Sequence, residues 1–232
     1  MSAVLHIANL VKDYRGLRPL RIERLSLAAG EHVAIVGLDR PSAETLINLL
    51  TGATLPDSGD VQAFGRSTAA ITDSADWLTV VDRFGIVTDR AVLLESLTAL
   101  QNLALPFSLD VEPPTREVRD AAIALATEVG LAEADLERPV ATFDEGVRMR
   151  LRLGRALALQ PQVLLLEHAT ASVDRSAVAA LARTIRDAAT RRGIALLALT
   201  GDAEFAGAVA ARVLTLTPST GRLAERRPRW FM

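Results

Sequence analysis

The chain has 232 residues, half of them apolar, and a formal net charge of −2, so it can bury a substantial core as one large domain or two small lobes. The near balance of charge excludes the basic surface expected of a nucleic-acid-binding protein. The absence of cysteine excludes disulfides, thiolate catalysis and cysteine-ligated zinc. Residues 1–6 do not resemble a signal peptide, and no apolar run reaches the roughly 18 residues needed to span a bilayer, so we expect a cytoplasmic protein.

Hydrophobic periodicity predicts strands that alternate with helices. The predicted strands are residues 5–10, 20–27, 32–36, 84–87, 163–166, 194–199 and 213–216. The predicted helices are residues 42–50, 116–129, 146–159 and 176–192, with another helical stretch from 93 and a turn at 55–59. Thr115 is expected to cap one helix, and Gly130 and Gly193 to end two of them. The alternation predicts a mostly parallel sheet covered on both faces, into which a helical lobe is inserted.

The strand–loop–helix stretch at residues 32–46 has the outline of a phosphate-binding loop without its lysine. Such a loop needs a lysine at its end to meet the β- and γ-phosphates. The chain has one lysine, Lys12, and the position in question holds Ala43. A preference for arginine over lysine in the coding sequence does not explain an alanine. This stretch therefore predicts a nucleotide-binding scaffold whose phosphate chemistry has been removed.

The histidines and the tail give weaker signals. His6 and His32 lie on strand patterns and are expected to be structural. No set of His, Asp and Glu residues has the spacing of metal ligands, so we expect no metal site formed by the chain alone. The basic and aromatic tail at residues 226–232 is either a frayed end or a docking segment.

Six segments occur in the order and spacing of a single family. They are Tyr14 and residues 37–45, 55–61, 95–106, 154–157 and 163–174. Together they resemble the ATP-binding cassette subunit of ABC transporters nearly end to end, and residues 95–106 are similar to the subgroup that serves lipoprotein and macrolide exporters. The resemblance implies a single α/β domain over residues 1–232 with a P-loop NTPase-like fold: a mostly parallel central sheet, an antiparallel N-terminal β part and an inserted helical lobe. The implied catalytic-type lobe covers about 1–92 and 156–232, and the helical lobe about 93–155.

The resemblance also implies ATP and Mg²⁺ as ligands and assigns family roles to particular positions. Tyr14 would stack on adenine, Asp89 would lie in the permease-coupling loop, and Asp174 in the loop that contacts a second cassette. The phosphate-loop positions are Gly37, Arg40, Ala43, Glu44 and Thr45, and the signature positions are Asp144, Glu145 and Gly146. Glu167 aligns with the Walker B aspartate, His168 with the catalytic glutamate and Gly201 with the switch histidine.

Most of these positions depart from the family pattern. Arg40 and Ser42 replace glycines that let backbone N–H groups close on phosphate, and Pro41 has no N–H to donate. Ala43 replaces the lysine, and Glu44 replaces the serine whose hydroxyl binds Mg²⁺. We therefore expect no bound cofactor and no catalytic residues, with His168 a plain polar residue rather than a base. Arg40 could restore part of the attraction for phosphate.

The acidic replacements fall where two helices begin. A helix N-terminus has unpaired N–H groups and favours negative charge. One hypothesis is that Glu44, in the first turn of one helix, and Asp144 and Glu145, at the start of another, substitute for nucleotide. The alternative is ordinary helix capping with no bearing on a ligand.

Three functions remain open at this point. The first is a non-hydrolysing cassette subunit that acts as scaffold or regulator of a membrane transport complex, with a permease and a second cassette, identical or different, as partners and no nucleic acid. It would lie at the cytoplasmic face of the membrane, bound through the permease. The second is an active ATP hydrolase with unusual motif residues, and the third is a soluble interaction module without a transporter.

Overall fold

The computed structural model describes residues 3–225, so the tail at 226–232 lies outside the described residues. The strands are β1 Ala3–Lys12, β2 Leu20–Ala28, β3 His32–Val36, β4 Ser58–Ala63, β5 Arg66–Ser67, β6 Phe84–Thr88, β7 Val163–Glu167, β8 Ala195–Thr200, β9 Arg212–Thr217 and β10 Arg222–Glu225. The α-helices are α1 Arg40–Leu50, α2 Ser74–Val81, α3 Ala99–Ala104, α4 Arg116–Glu128, α5 Glu145–Leu157, α6 Arg175–Arg192 and α7 Ala203–Val209. Short 3-10 helices cover Thr68–Ala70, Glu133–Asp135 and Val140–Thr142.

A six-stranded sheet forms the centre of the fold, in the order β10-β9-β3-β8-β7-β6. The five strands from β9 to β6 are parallel, and β10 joins the edge antiparallel to β9. Every residue of β7 and β8 is buried, which explains why these strands are continuous apolar runs rather than alternating ones. The prediction of a mostly parallel sheet is confirmed.

The N-terminal strands form a separate antiparallel sheet in the order β2-β1-β4-β5, as the resemblance implied. Residues 55–59, predicted as a turn, are partly strand, because β4 begins at Ser58. Gly59 has a φ of +86° and passes against the backbone of Asn9, where a Cβ would have no room. Glycine at this position therefore serves the pairing of β4 with β1 rather than a turn.

Several helix boundaries agree closely with the periodicity. Thr115 caps α4 by accepting a hydrogen bond from the Val118 N–H, and Gly193 ends α6 in the left-handed conformation with a φ of +65°. The predicted start of the helical stretch at residue 93 is wrong, because α3 begins only at Ala99. Thr98 and Gln101 form a capping box at this start. The short elements α2, α7, β5 and β10 had no predicted counterpart.

Apolar side chains pack on both faces of the central sheet. On one face, alternate residues of β3, β7 and β8 contact α3 to α7, and on the other they contact α1 and the strands β1, β2 and β4.

Because these strands are parallel, their carboxyl ends lie together at one edge of the sheet, where ligands bind in open α/β folds. Within residues 3–225, no helix is long and apolar enough to cross a bilayer.

Candidate functional site

The loop between β3 and α1 lies at the carboxyl edge of the central sheet. Gly37 has a φ of +100°, and a Cβ there would lie 3.1 Å from the carbonyl oxygen of Leu216 on the neighbouring strand β9. Both constraints favour glycine at this turn. The first glycine of the phosphate-loop outline is therefore required by the fold of this chain.

Asp39 caps the N-terminus of α1. Its Oδ1 accepts a hydrogen bond of 2.9 Å from the Ser42 N–H, and its carboxylate also accepts from the Ser42 hydroxyl. These hydrogen bonds hold the pKa of Asp39 below its ordinary value. Pro41 lies in the first turn and has no N–H, and the Ala43 N–H already donates to the Asp39 carbonyl at 2.9 Å. The chain's own carboxylate therefore occupies the helix end at which the phosphate-loop outline would place an anion.

The expectation for Glu44 is wrong in one respect. Because α1 begins at Arg40, Glu44 lies beyond the first turn, which contains no acidic residue, and Asp39 provides the cap instead. The Glu44 carboxylate forms an ion pair with Arg90. Thr45 also has a partner close by, since its hydroxyl donates to the Pro41 carbonyl at 2.7 Å within the same helix.

Arg90 connects Glu44 with the end of β7. Its Nη1 contacts the Glu44 carboxylate, and its Nη2 donates to Glu167 Oε2 at 2.6 Å. The Glu167 side chain is 5% exposed, and burying a carboxylate is costly unless it is paired in this way. Burial alone would lower the pKa of Arg90, but the hydrogen bonds to Glu167 and Glu44 outweigh it and raise the pKa.

Arg40 is also paired within the chain. Its guanidinium donates to Asp89 Oδ2 at 2.7 Å, so the position aligned with the coupling-loop glutamine is joined to the start of α1. An arginine that could have attracted phosphate is thus neutralised by a carboxylate. The groups gathered here are two guanidiniums and four carboxylates, a net charge of −2: Arg40, Arg90, Asp39, Glu44, Asp89 and Glu167.

These side chains do not fit a magnesium ion as they are arranged. Glu44, at the position of the family's Mg²⁺-binding serine, and Glu167, at the position of the Walker B aspartate, both face the guanidinium of Arg90. A cation entering between them would have to displace a charged side chain. Among residues 3–225, no group of three or more His, Asp or Glu side chains is arranged to hold a metal ion.

Acidic side chains of the protein also occupy the start of α5. Asp144 is the N-cap and accepts from the Val147 N–H at 2.9 Å, as expected for an acid at a helix start. Glu145, in the first turn, forms an ion pair with Arg152, which lies two turns further along the helix and is itself buried. At Gly146 a Cβ would lie 3.1 Å from the Asp144 carboxylate. The signature-aligned residues are therefore held by contacts within α5.

The positions aligned with the catalytic glutamate and the switch histidine form a second, open cleft. His168 follows β7 with a φ of +44°, and its N–H donates to the Leu199 carbonyl at 2.8 Å. Its Nε2 has no hydrogen-bond partner among the described residues. Gly201 has nothing within 4 Å of where a Cβ would stand. Asp174 precedes α6 without a capping hydrogen bond from its side chain, and its neighbour Arg175 pairs with Asp202 across the cleft.

Tyr14 lies beside the phosphate-loop outline. It lines a cleft of about 310 Å³ together with Gly37, Asp39 and Ser42. Its ring packs over Gly16, where a Cβ would lie 2.5 Å from the ring carbon Cε2. Tyr14 and the loop after β3 therefore share one cleft, as their alignment with the family predicts.

Sequence reasoning missed the three side chains that organise this edge: Asp39, Arg90 and Arg152. One signal was available for Arg90. It follows β6 by two residues, and Glu167 ends the adjacent parallel strand, paired in register with Thr88. Oppositely charged residues at neighbouring carboxyl ends of a parallel sheet are placed to meet.

Comparison with known proteins gives matches along most of the chain. Residues 20–171 match the family model described as ABC transporter. The chain is 32% identical over 228 residues to the lipoprotein-releasing system ATP-binding protein LolD of Pseudomonas syringae pv. tomato, covering 97% of this chain and 98% of that protein. It is 31% identical over 206 residues to the methionine import ATP-binding protein MetN of Brucella abortus, of which it spans only 54%.

Solved structures of the same kind superpose on the fold. CbiO1 from Clostridium perfringens, part of an ABC transporter complex, has a TM-score of 0.81 at 20% identity. The superposition covers 97% of this chain and 88% of the CbiO1 chain. A dimeric ATP-binding cassette in a post-hydrolysis state with ADP and Pi has a TM-score of 0.77 at 23% identity. This superposition covers 98% of this chain and 100% of the cassette chain. At these identities the superpositions establish the cassette fold alone.

Proposed function

Because the chain belongs to the ABC transporter family, we propose that it is a cassette subunit of a membrane transport system that has kept the fold and lost ATP hydrolysis. It acts as a scaffold or regulator rather than as the motor. By resemblance, we propose a catalytic-type lobe at about 1–92 and 156–232 and a helical lobe at about 93–155.

One observation carries the proposal: Asp39 caps α1 where a phosphate would have to bind. A phosphate at this helix end would compete with a carboxylate that already accepts hydrogen bonds from Ser42. Two like charges about 4 Å apart repel by roughly 4 kcal/mol at an effective dielectric constant near 20. A charge-assisted hydrogen bond from a lysine, which Ala43 cannot make, is worth about 1.5–3 kcal/mol. Together these terms weaken ATP binding by on the order of a thousandfold or more.

The rest of the edge supports the same conclusion. The net charge of −2 around α1 opposes a triphosphate, and Arg40, the residue that could have compensated, is bound to Asp89. Ala43 is fully buried and offers no polar group. We propose no catalytic residue at Glu167, His168 or Gly201.

We propose a membrane permease as the principal partner, docked beside Asp89. A groove of about 270 Å³ adjoins this segment and is lined by Ile86, Ala91, Pro106 and Arg155. Exposed apolar side chains lie on the flanking segments, at Val92, Leu94, Phe107 and Leu109. The related proteins are named for lipoprotein release and methionine import, and the chain matches the lipoprotein-releasing protein over nearly its whole length. This docking places the chain at the cytoplasmic face of the membrane.

A second cassette, identical or different, completes the proposed complex. By the resemblance, we propose that the start of α5 faces the partner's phosphate site. Asp144 would bring a negative charge to that position, together with the Glu145 carboxylate that is paired with Arg152. We therefore expect impaired hydrolysis at both sites of such a dimer.

One observation favours the alternative of an active ATPase. The cleft between Tyr14 and Gly37 is open, and it lies where the adenine ring of ATP would be expected beside the phosphate loop. An active enzyme would require the Asp39 cap and the Arg90 ion pairs to open when ATP binds.

Purification of the tagged full chain from its native membranes in mild detergent tests the proposal. We expect a permease with membrane-spanning helices to copurify, and the isolated chain to show no ATP hydrolysis with Mg²⁺. Hydrolysis by the isolated chain would establish the active ATPase instead. Recovery of the chain without any membrane protein would favour the soluble interaction module.

A further inference from the structure

The segment that follows β6, residues 89–92, is held from two opposite sides. We propose that it is a strap that joins α1 and β7 to α5 without any ligand, with Arg90 as its central tie. The strap, residues 89–92, requires no nucleotide, so this inference stands or falls separately from the proposed loss of hydrolysis.

Side chains tie the strap to α1 and β7. Asp89 accepts from Arg40 at the start of α1, with 2.7 Å between Nη2 and Oδ2. Arg90 pairs with Glu44, further along α1, and with Glu167, which ends β7. A planar guanidinium presents its donors to two carboxylates in a rigid fork, whereas the three donors of a lysine ammonium sit on a flexible stem. Arg90 thus fixes the strap against two elements through one side chain.

Main-chain carbonyls tie the strap to α5. The Ala91 carbonyl accepts from Arg152 Nε at 3.0 Å, and the Val92 carbonyl accepts from Arg155 Nη1 at 2.6 Å. Arg152 also forms an ion pair with Glu145 in the first turn of α5. The connection therefore runs from α1 and β7 through four residues to the helix start that aligns with the family signature.

The strap has little regular structure of its own. It lies beyond the last residue of β6, and two of its N–H groups form local hydrogen bonds, Arg90 to the Thr88 hydroxyl at 3.3 Å and Ala91 to the Thr88 carbonyl at 3.2 Å. Its position is set by arginine side chains rather than by a ladder of strand hydrogen bonds. Removal of Arg90 should therefore release the strap locally while leaving the sheet intact.

Hydrogen exchange of the nucleotide-free chain tests the strap directly. In Arg90→Met we expect backbone amides at residues 89–92 and in the first turn of α5 to exchange at least about tenfold faster, while β7 and β8 keep their protection. Arg90→Lys should fall between Arg90→Met and the native chain, and it carries the test if the methionine variant does not fold. Arg66→Met is the matched control, since Arg66 lies on β5 outside the strap, has a similar exposure and pairs with a single acid, Asp76.

A distance measurement gives an independent readout. The chain has no cysteine, so spin labels can be placed at two introduced cysteines without background. With labels at Arg24 on β2 and Asp120 on α4, both exposed, we expect a broader distance distribution in Arg90→Met than in the native chain or Arg66→Met. If Arg90→Met changes neither the hydrogen exchange of the strap nor the distance distribution, the proposal is overturned, and Arg90 forms ion pairs without holding the strap in place.

Discussion

The Arg90 guanidinium donates to the Glu167 carboxylate at 2.6 Å, which joins the loop after β6 to the buried end of β7. The second partner of Arg90 is Glu44 on α1. One arginine side chain thereby joins the carboxylates of α1 and β7. Internal charge pairs therefore organise this edge of the sheet, and their removal should have measurable consequences.

Replacement of Arg90 by methionine should destabilise the chain by about 2 kcal/mol, because it leaves the buried Glu167 carboxylate without its charged partner. Urea unfolding followed by circular dichroism measures the change. The matched variant Arg66→Met removes an ion pair whose acid, Asp76, is more exposed than Glu167, and it should cost less than Arg90→Met. Equal losses in the two variants would contradict the importance assigned to the burial of Glu167.

Asp39 and Glu44 should differ in their contribution to α1. Asp39→Ala removes an N-cap and should cost about 1 kcal/mol. Glu44→Ala removes a half-exposed partner of Arg90, which retains Glu167, and should cost only a few tenths of a kcal/mol, about 0.5 at most. Thermal unfolding of both variants checks the order. A larger loss of stability for Glu44→Ala than for Asp39→Ala would show that Glu44, rather than Asp39, is the acid that stabilises the N-terminus of α1.

Stability should depend on the charge of Asp39 at acid pH. A carboxyl whose pKa is lower in the folded than in the unfolded chain stabilises the fold above the unfolded pKa, and this stabilisation is lost as the pH falls through the folded pKa. Asparagine caps helices about as well as aspartate but does not titrate. The advantage of the native chain over Asp39→Asn, measured as a difference in Tm, should therefore shrink as the pH is lowered from about 5. A constant difference over that range would show that the Asp39 charge has no part in capping.

The framework was predictable from the sequence because its signals are local. The apolar runs of β7 and β8, Thr115 before α4 and Gly193 after α6 each indicate their structure within a few residues. Tyr14 and Gly37 could be placed beside each other because their segments match a family pattern.

The charge pairs were not predictable in the same way, because they join residues far apart in the chain. Arg90 meets Glu167 only through the parallel pairing of β6 with β7, and Arg152 meets Ala91 only through the packing of α5 on β6. The mistake about Glu44 arose from a helix start placed two residues late. With α1 beginning at Arg40, the capping role moves to Asp39.

The close approach of β6 and α5 gives a further prediction. A Cβ at Gly85 would lie 2.6 Å from the Ala156 carbonyl oxygen, so Gly85→Ala must shift α5 or β6 and should cost about 1–3 kcal/mol. Gly201→Ala is the matched control, because nothing lies within 4 Å of its Cβ position, and it should be nearly neutral. Chemical denaturation compares the two, and a neutral Gly85→Ala would refute the tight packing of α5 on β6.

We propose that this cassette no longer binds nucleotide. Isothermal titration of the full chain with ATP and Mg²⁺ tests this proposal most directly. We predict no saturable heat up to about 1 mM ATP, which corresponds to a binding free energy weaker than about −4 kcal/mol. A saturable, one-to-one binding isotherm with a Kd below about 1 mM would contradict the claim.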